Sequence, residues 1–222
     1  MSMVAVSTTA ADNLPVPASD QAPVVLPTGA PLPGRVPGRP RPGTTTIGAL
    51  LFVTADFMVL AAIVAVYLAI KEGSVTWPPK GVQVGTYIPT MMTITALMSA
   101  FSVQWGMFAA RRNDGRNAAM ALGLTLFLGL AMANLDWLSF VRSGFGFNDH
   151  PYGTLYDVLI GFHLLHLLAA IVVLLLLAFR TVAGHFSGDR HDALRAGVVL
   201  WQYSNAVWFV VVTVLFILSR HG

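Results

Sequence analysis

The sequence predicts an all-α polytopic membrane protein with five transmembrane helices in a bundle. Hydrophobic residues make up 55% of the chain and charged residues 10%, against about 25% charged in an ordinary soluble domain. So few charges cannot coat a soluble surface. The apolar residues are also gathered into five long blocks. Each block exceeds the roughly 20 residues that carry a helix across a hydrocarbon core about 30 Å thick. With no water to satisfy backbone groups, helix is the state open to such single runs.

Residues 1–43 hold nine of the 13 prolines. Proline blocks ladder hydrogen bonds and large apolar side chains are scarce there, so a disordered Pro-rich tail is expected, ending in Arg35, Arg39 and Arg41. The first charged residue is Asp12, and no apolar run begins before the mid-forties. The first hydrophobic segment is therefore expected to act as an uncleaved anchor. A five-helix transmembrane domain is predicted over residues 44–222, with helices at about 45–70, 87–110, 117–140, 154–179 and 195–218. In the first helix Ala61, Ala65 and Ala69 form a small-residue stripe suited to close approach of a neighbouring helix. The longest connections carry Trp77-Pro78-Pro79 and the Gly-rich stretch from Ser143 to Gly153. Trp77, Tyr87 and Trp137 near segment ends are expected as interfacial anchors.

The formal charge is +3. In a membrane protein such cations set orientation, and no nucleic-acid partner is expected. The tail, the second connection (Arg111, Arg112, Arg116) and the fourth (Arg180, Arg190, Arg195) supply nine Lys/Arg; Lys71, Lys80, Arg142 and Arg220 supply four on the other side. That asymmetry predicts a cytoplasmic N-terminus and an external C-terminus. There is no cysteine, which removes disulfides, thiolate metal sites, iron–sulfur clusters and covalent c-type haem attachment.

Ionisable groups inside a membrane are expensive, so each needs an account. The polar residues at issue are Asp56, Gln104, Asn134, Asp136, His163, His166, Gln202 and Asn205. At ~1.5 Å per residue, Asp56 lies roughly 17 Å and Asn205 about 15 Å from the cytoplasmic end, and the two histidines are near mid-depth. Asp56 is read either as a proton-linked or pairing group or as a neutral acid bonded to a neighbouring helix. Asp136, within a turn or so of the outer end, is expected as an interfacial carboxylate. His163 and His166 are three apart, hence on one face. That spacing suits two ligands of a non-haem metal, with Asp56 or a partner chain as the third. Hydrogen bonding to adjacent helices or lipid is the expected use, with no metal held. The chain has six histidines, and His150, His185, His191 and His221 lie in connections or at the terminus. A haem–copper catalytic centre, which needs six histidine ligands, cannot be built from this set.

At these residues the sequence resembles a known family. Gly161-Phe162-His163-Leu164-Leu165-His166 matches the GFHxxH signature in the fourth helix of five-helix subunit III proteins of the haem–copper (cytochrome c) oxidases. Trp201-Gln202-Tyr203-Ser204-Asn205-Ala206-Val207-Trp208 keeps the two-tryptophan frame of that family's WHFVDxxW. Thr54-Ala55-Asp56-Phe57-Met58 stands where the family reads Ser-x-Glu-x-Met-Phe-Phe, and Asp136-Trp137 resembles its Glu-Tyr or Glu-Trp pair. The resemblance covers about residues 45–218 and marks a divergent bacterial member: Asp replaces Glu at position 56, and the amides of Gln202 and Asn205 replace His and Asp. It implies a non-catalytic accessory subunit of the bacterial plasma membrane. Such a subunit packs beside catalytic subunit I, which bears the haem and copper, and subunit II; it holds structural phospholipid in a cleft and sustains proton uptake in aerobic respiration. On this reading Asp56, His163 and His166 stand at the family's buried carboxylate and paired histidines. The similar depths of Asp56 and Asn205 suggest that they bond across the first and fifth helices, with Asp56 protonated. Other readings of the same residues are an accessory subunit of a nitric oxide reductase, a small proton-coupled transporter and a stand-alone b-type cytochrome; the lack of an internal repeat counts against the transporter.

Overall fold

The computed structural model describes residues 43–82, 85–182 and 191–220, the side chain of Arg220 excepted. The expected tail over residues 1–43 lies outside the described residues, apart from Gly43. Five long helices follow: α1 (Thr44–Glu72), α2 (Tyr87–Arg111), α3 (Gly115–Val141), α4 (Pro151–Val182) and α5 (Asp192–Val212). Most extend a few residues past the predicted limits. The apolar blocks mark the hydrocarbon-depth part of each helix, and polar residues continue the hydrogen-bonded turns beyond it. Beyond α5 the chain widens into one π-type turn, Thr213–Ile217, and tightens over Leu218–Arg220. Lys71 Nζ meets this end, donating to the Leu218 carbonyl at 2.6 Å, where a helix terminus leaves carbonyls without partners.

Four of the helices, α1, α3, α4 and α5 continued to Ile217, are long and apolar enough to cross a membrane. In α2 the hydroxyls of Thr90, Thr93 and Thr95 dilute the apolar character. They donate to the carbonyls of Thr86, Pro89 and Met91 one turn back, at 2.7–2.8 Å. That bonding lets hydroxyls sit in an apolar setting.

Helix packing follows from where small and polar side chains fall. α2 and α3 run antiparallel and close. Ser102 Oγ of α2 donates to the Ala121 carbonyl of α3 at 2.9 Å and accepts from Thr125 Oγ1 at 2.9 Å. Gly106 meets Ala121 and Leu122 at the same seam. α5 is the organising helix, packing against α1, α2 and α4. Trp201 and Trp208 are fully buried and two turns apart. Their indole N–H groups donate to Ser99 Oγ and Thr93 Oγ1 of α2, at 3.3 and 3.1 Å. Gly129 of α3 leaves room for the Trp201 ring, for a Cβ there would lie 2.4 Å from Trp201 Cη2.

α1 and α5 run parallel in constant register. The Thr45 N–H and the Thr46 hydroxyl bond the Asp192 carboxylate at one end, Asp56 meets Tyr203 between, and Lys71 meets Leu218 at the other. Each pair is separated by 146 or 147 residues in sequence. We call the end with Thr44, Arg111, Gly115 and Asp192 the basal end, and the opposite one the apical end.

Two expectations are corrected here. Ala61, Ala65 and Ala69 are exposed, so their stripe is not the seam of α1; Leu60 and Tyr67 are the buried side chains beside it. Trp77 is buried rather than an interfacial anchor, and its Nε1 donates to Tyr67 Oη at 2.9 Å. Tyr87 and Trp137 are exposed.

Candidate functional site

The ionisable residues at mid-helix form two separate carboxylate–histidine pairs that share helix α4, one buried and one part-exposed. His163 and His166 are about 60° apart around the helix at ~100° per residue. That angle sends one imidazole to α3 and the other to α1. The spacing that would suit two ligands of one metal instead serves two neighbouring helices. Among the described residues, no three His, Cys, Asp or Glu side chains gather as a metal-ligand set.

The first pair is His163 with Asp136. His163 Nδ1 lies 2.8 Å from Asp136 Oδ2, and both side chains are 0% exposed. The Trp208 ring lies over the imidazole at 5.2 Å between centroids. Asp136 Oδ1 and His163 Nε2 have no hydrogen-bond partner among the described residues, so each side chain depends on the other for its polar contact. Asp136 is therefore not an interfacial carboxylate. Its height on α3 was read from sequence, but its angular position was not: Asn134 and Trp137 take the exposed side, and Asp136 points inward to α4.

The second pair is His166 with Asp56, joined by Tyr203. His166 Nε2 lies 3.0 Å from Asp56 Oδ2, and the Tyr203 hydroxyl donates to the same oxygen. His166 Nδ1 is 2.7 Å from the Phe162 carbonyl. A carbonyl only accepts, so Nδ1 carries a proton. Nε2 and the carboxyl oxygen then need one more proton between them, since two lone pairs would repel at that distance. The pair is an imidazolium beside a carboxylate, or an imidazole beside a carboxylic acid. Both forms are neutral overall. Phe162 also stacks on His166, with ring centroids 4.3 Å apart. Gly161, the other frame residue of this turn, faces Phe140 of α3.

The expected bond between Asp56 and Asn205 does not form. Asn205 is two residues past Tyr203, about 200° around α5, and faces α2, where its Oδ1 accepts from Ser99 Oγ at 3.3 Å. Gln202 Nε2 donates to the Ala100 carbonyl of α2 at 3.2 Å. Tyr203 is the residue that sequence reasoning missed. Its signal was present: a phenol at mid-depth needs a partner for its hydroxyl.

An apolar cleft of about 590 Å³ opens beside this second pair. It is bounded by Phe52 of α1, Ala169 and Val173 of α4, and Gly197 of α5, and runs from Thr45 and Ala193 at the basal end to His166 and Tyr203. The cleft exists because α1 leans on α5 and barely touches α4.

Fold and site together define a multi-pass helical membrane protein whose interior ionisable groups are held in pairs between helices. The family model described as cytochrome c oxidase subunit III matches residues 42–220, and the chain belongs to that family. The cytochrome c oxidase subunit 3 of Thermostichus vulcanus is 24% identical over 180 residues, covering 81% of this chain and 90% of that protein. That of Prototheca wickerhamii is 29% identical over 72% of this chain and 64% of its own length. The probable cytochrome c oxidase subunit 3 of Nocardia farcinica is 23% identical over 81% of this chain and 91% of its own.

Proposed function

We infer that this chain is the subunit III component of a haem–copper respiratory oxidase, an accessory subunit that stabilises the catalytic subunit and supports proton uptake. The observation that carries this reading is the family match, which runs unbroken through all five helices. In this reading the haem and copper belong to the partner catalytic subunit I, with subunit II beside it, in a bacterial plasma membrane.

All five helices span the bilayer in this proposal. α2 crosses because its threonines are bonded to their own helix and much of its surface is buried against α3 and α5. The basal end is cytoplasmic: Arg111, Arg112, Arg116, Arg180 and Arg195 lie there, against Lys71, Lys80 and Arg142 at the apical end. Cytoplasmic ends carry the excess of Lys and Arg. The cleft beside His166 and Tyr203 is open to hydrocarbon and lined by apolar side chains, which suits the acyl chain of a structural phospholipid. The Asp56–His166–Tyr203 group at its inner end is the candidate proton-linked element.

The test is purification of the tagged chain in mild detergent from its native membrane. Haem-bearing subunits are expected to co-purify, with the Soret absorbance of an oxidase. A colourless lone chain overturns the reading. Deleting the chain is expected to leave an oxidase that still reduces oxygen but loses activity during turnover.

A further inference from the structure

We propose that the polar cavity at the apical end is a water-filled vestibule whose innermost waters hydrogen-bond the buried Asp136–His163 pair and exchange its protons with the apical side. The proposal rests on the helices spanning as inferred above and requires no partner subunit.

The pair itself points to a ligand. Asp136 and His163 are 0% exposed and meet through one contact at 2.8 Å. That contact leaves Asp136 Oδ1 and His163 Nε2 without a hydrogen-bond partner among the described residues. A carboxyl oxygen and an imidazole nitrogen are donors or acceptors in every protonation state. Buried groups of this kind are met by protein or by ordered water. The other pair differs in both respects. Tyr203 and the Phe162 carbonyl bond it, and the cleft beside it is apolar.

A cavity of about 250 Å³ lies on the apical side of the buried pair. Its walls include Ile88 and Pro89 of α2, Ser139 and Arg142 of α3, Tyr156 of α4 and Phe216 beyond α5. Ser139 is three residues from Asp136, about 4.5 Å along α3 and about 60° around it. Tyr156 is seven residues from His163, two turns away on the same face of α4. Both are buried and form the inner wall. The Ser139 hydroxyl donates to the Leu135 carbonyl at 3.0 Å, and its oxygen still accepts. The step from Ser139 to the pair is on the order of one or two waters, at about 2.8 Å per hydrogen bond. Arg142 and Tyr87 are exposed at the mouth, which opens the cavity to the apical surface. The titratable or charged groups on this path are therefore Tyr156, Arg142 and Tyr87, with the part-exposed Asp157 next to Tyr156 on α4. From α5 the pair is faced by the Trp208 ring.

The chain has no cysteine, so single cysteines report water access directly. S139C at the inner wall and S143C near the mouth are tested in the full chain, in sealed membrane vesicles of known orientation. E72C and R116C mark the apical and basal sides, and S99C is the buried control. A small charged methanethiosulfonate is expected to label S143C from the side that labels E72C. Silver ion added on that side is expected to reach S139C well before S99C. In a second measurement, deuterium exchange of the pair is followed by the infrared bands that D136N and H163Q each remove. Exchange is expected to be about tenfold or more slower in S139V than in wild type, because it then waits on local opening. With the references on opposite sides, an S139C that reacts no faster than S99C, or equally from both sides, overturns the vestibule alone. Equal exchange in S139V and wild type overturns it too, and the S139C labelling stands however S139V folds. E72C and R116C reacting from one side overturns the spanning arrangement and the proposal with it.

Discussion

The Asp136–His163 pair makes a quantitative demand on stability. Both side chains are fully buried, and the contact is 2.8 Å. Replacing His163 with leucine keeps an apolar body beside Trp208 but leaves Asp136 without its polar partner. Breaking a buried pair in this way costs up to about 3–5 kcal/mol, because the carboxyl stays desolvated without a partner or must take up a proton. Asp136→Val is expected to cost less, about 1–3 kcal/mol, since it strands an imidazole that can be neutral. The double variant H163L/D136V removes both groups, and apolar replacement of a whole buried pair is often neutral. It should therefore be more stable than H163L alone. The assay is denaturant unfolding in detergent micelles followed by tryptophan fluorescence, for which Trp208, 5.2 Å from the imidazole, is a local reporter. A cost for H163L below about 1 kcal/mol, or a double variant whose losses simply add, would refute the reading of a mutually compensating pair.

Three further outcomes are expected. Tyr203→Phe removes the donor to Asp56 and should cost about 0.5–3 kcal/mol, the span from neutral to charge-assisted hydrogen bonds; the infrared carboxyl band of Asp56 should shift in Y203F and stay in place in N205A. Gly129→Ala drives a Cβ into the Trp201 ring, so an overpacking cost of about 1–3 kcal/mol is expected in the same unfolding assay. At the start of α3 the backbone N–H of Asn117, and then its side-chain amide, hold the Asp114 carboxyl below the usual carboxylate range. A depressed folded value adds stability above the unfolded value and loses it as pH falls through the folded one. Thermal unfolding across acidic pH should therefore converge for wild type and D114A at the acid end and separate as pH rises toward neutrality.

Five helices were readable because in lipid the length of an apolar run is itself the signal. The angular positions were not readable, and the reason is physical. A soluble helix advertises its buried face by period, since one side is wet. Here both the outside and the interior are apolar. Asp136 was assigned by height and turned out to face α4. The Ala61, Ala65 and Ala69 stripe has ideal small-residue spacing and lies exposed. The register of α1 against α5 decided the partner of Asp56, and a register shared by two helices far apart in sequence leaves no mark in either. The tryptophan frame was more legible because each large indole needs both a cavity and an acceptor, which Gly129, Ser99 and Thr93 supply.

The substitutions in α5 bear on whether proton chemistry survives in this chain. By resemblance, positions 202 and 205 are ionisable in the family and are amides here. If the ionisable set were one cluster spanning α1, α4 and α5, losing those two groups would dismantle it. The geometry separates them. Gln202 and Asn205 face α2 and bond a carbonyl and a serine hydroxyl, work that an amide performs without titrating. Asp56 and His166 close on each other across α1 and α4, and α5 reaches them through Tyr203. No atom of that group is bonded to either amide. The substitutions therefore belong to the α2–α5 seam and leave the contacts of Asp56 with His166 and Tyr203 in place, at the inner end of the cleft. The infrared carboxyl band of Asp56 should consequently move in H166Q and stay in place in Q202L; a band that follows Gln202 instead would break the separation of the two seams.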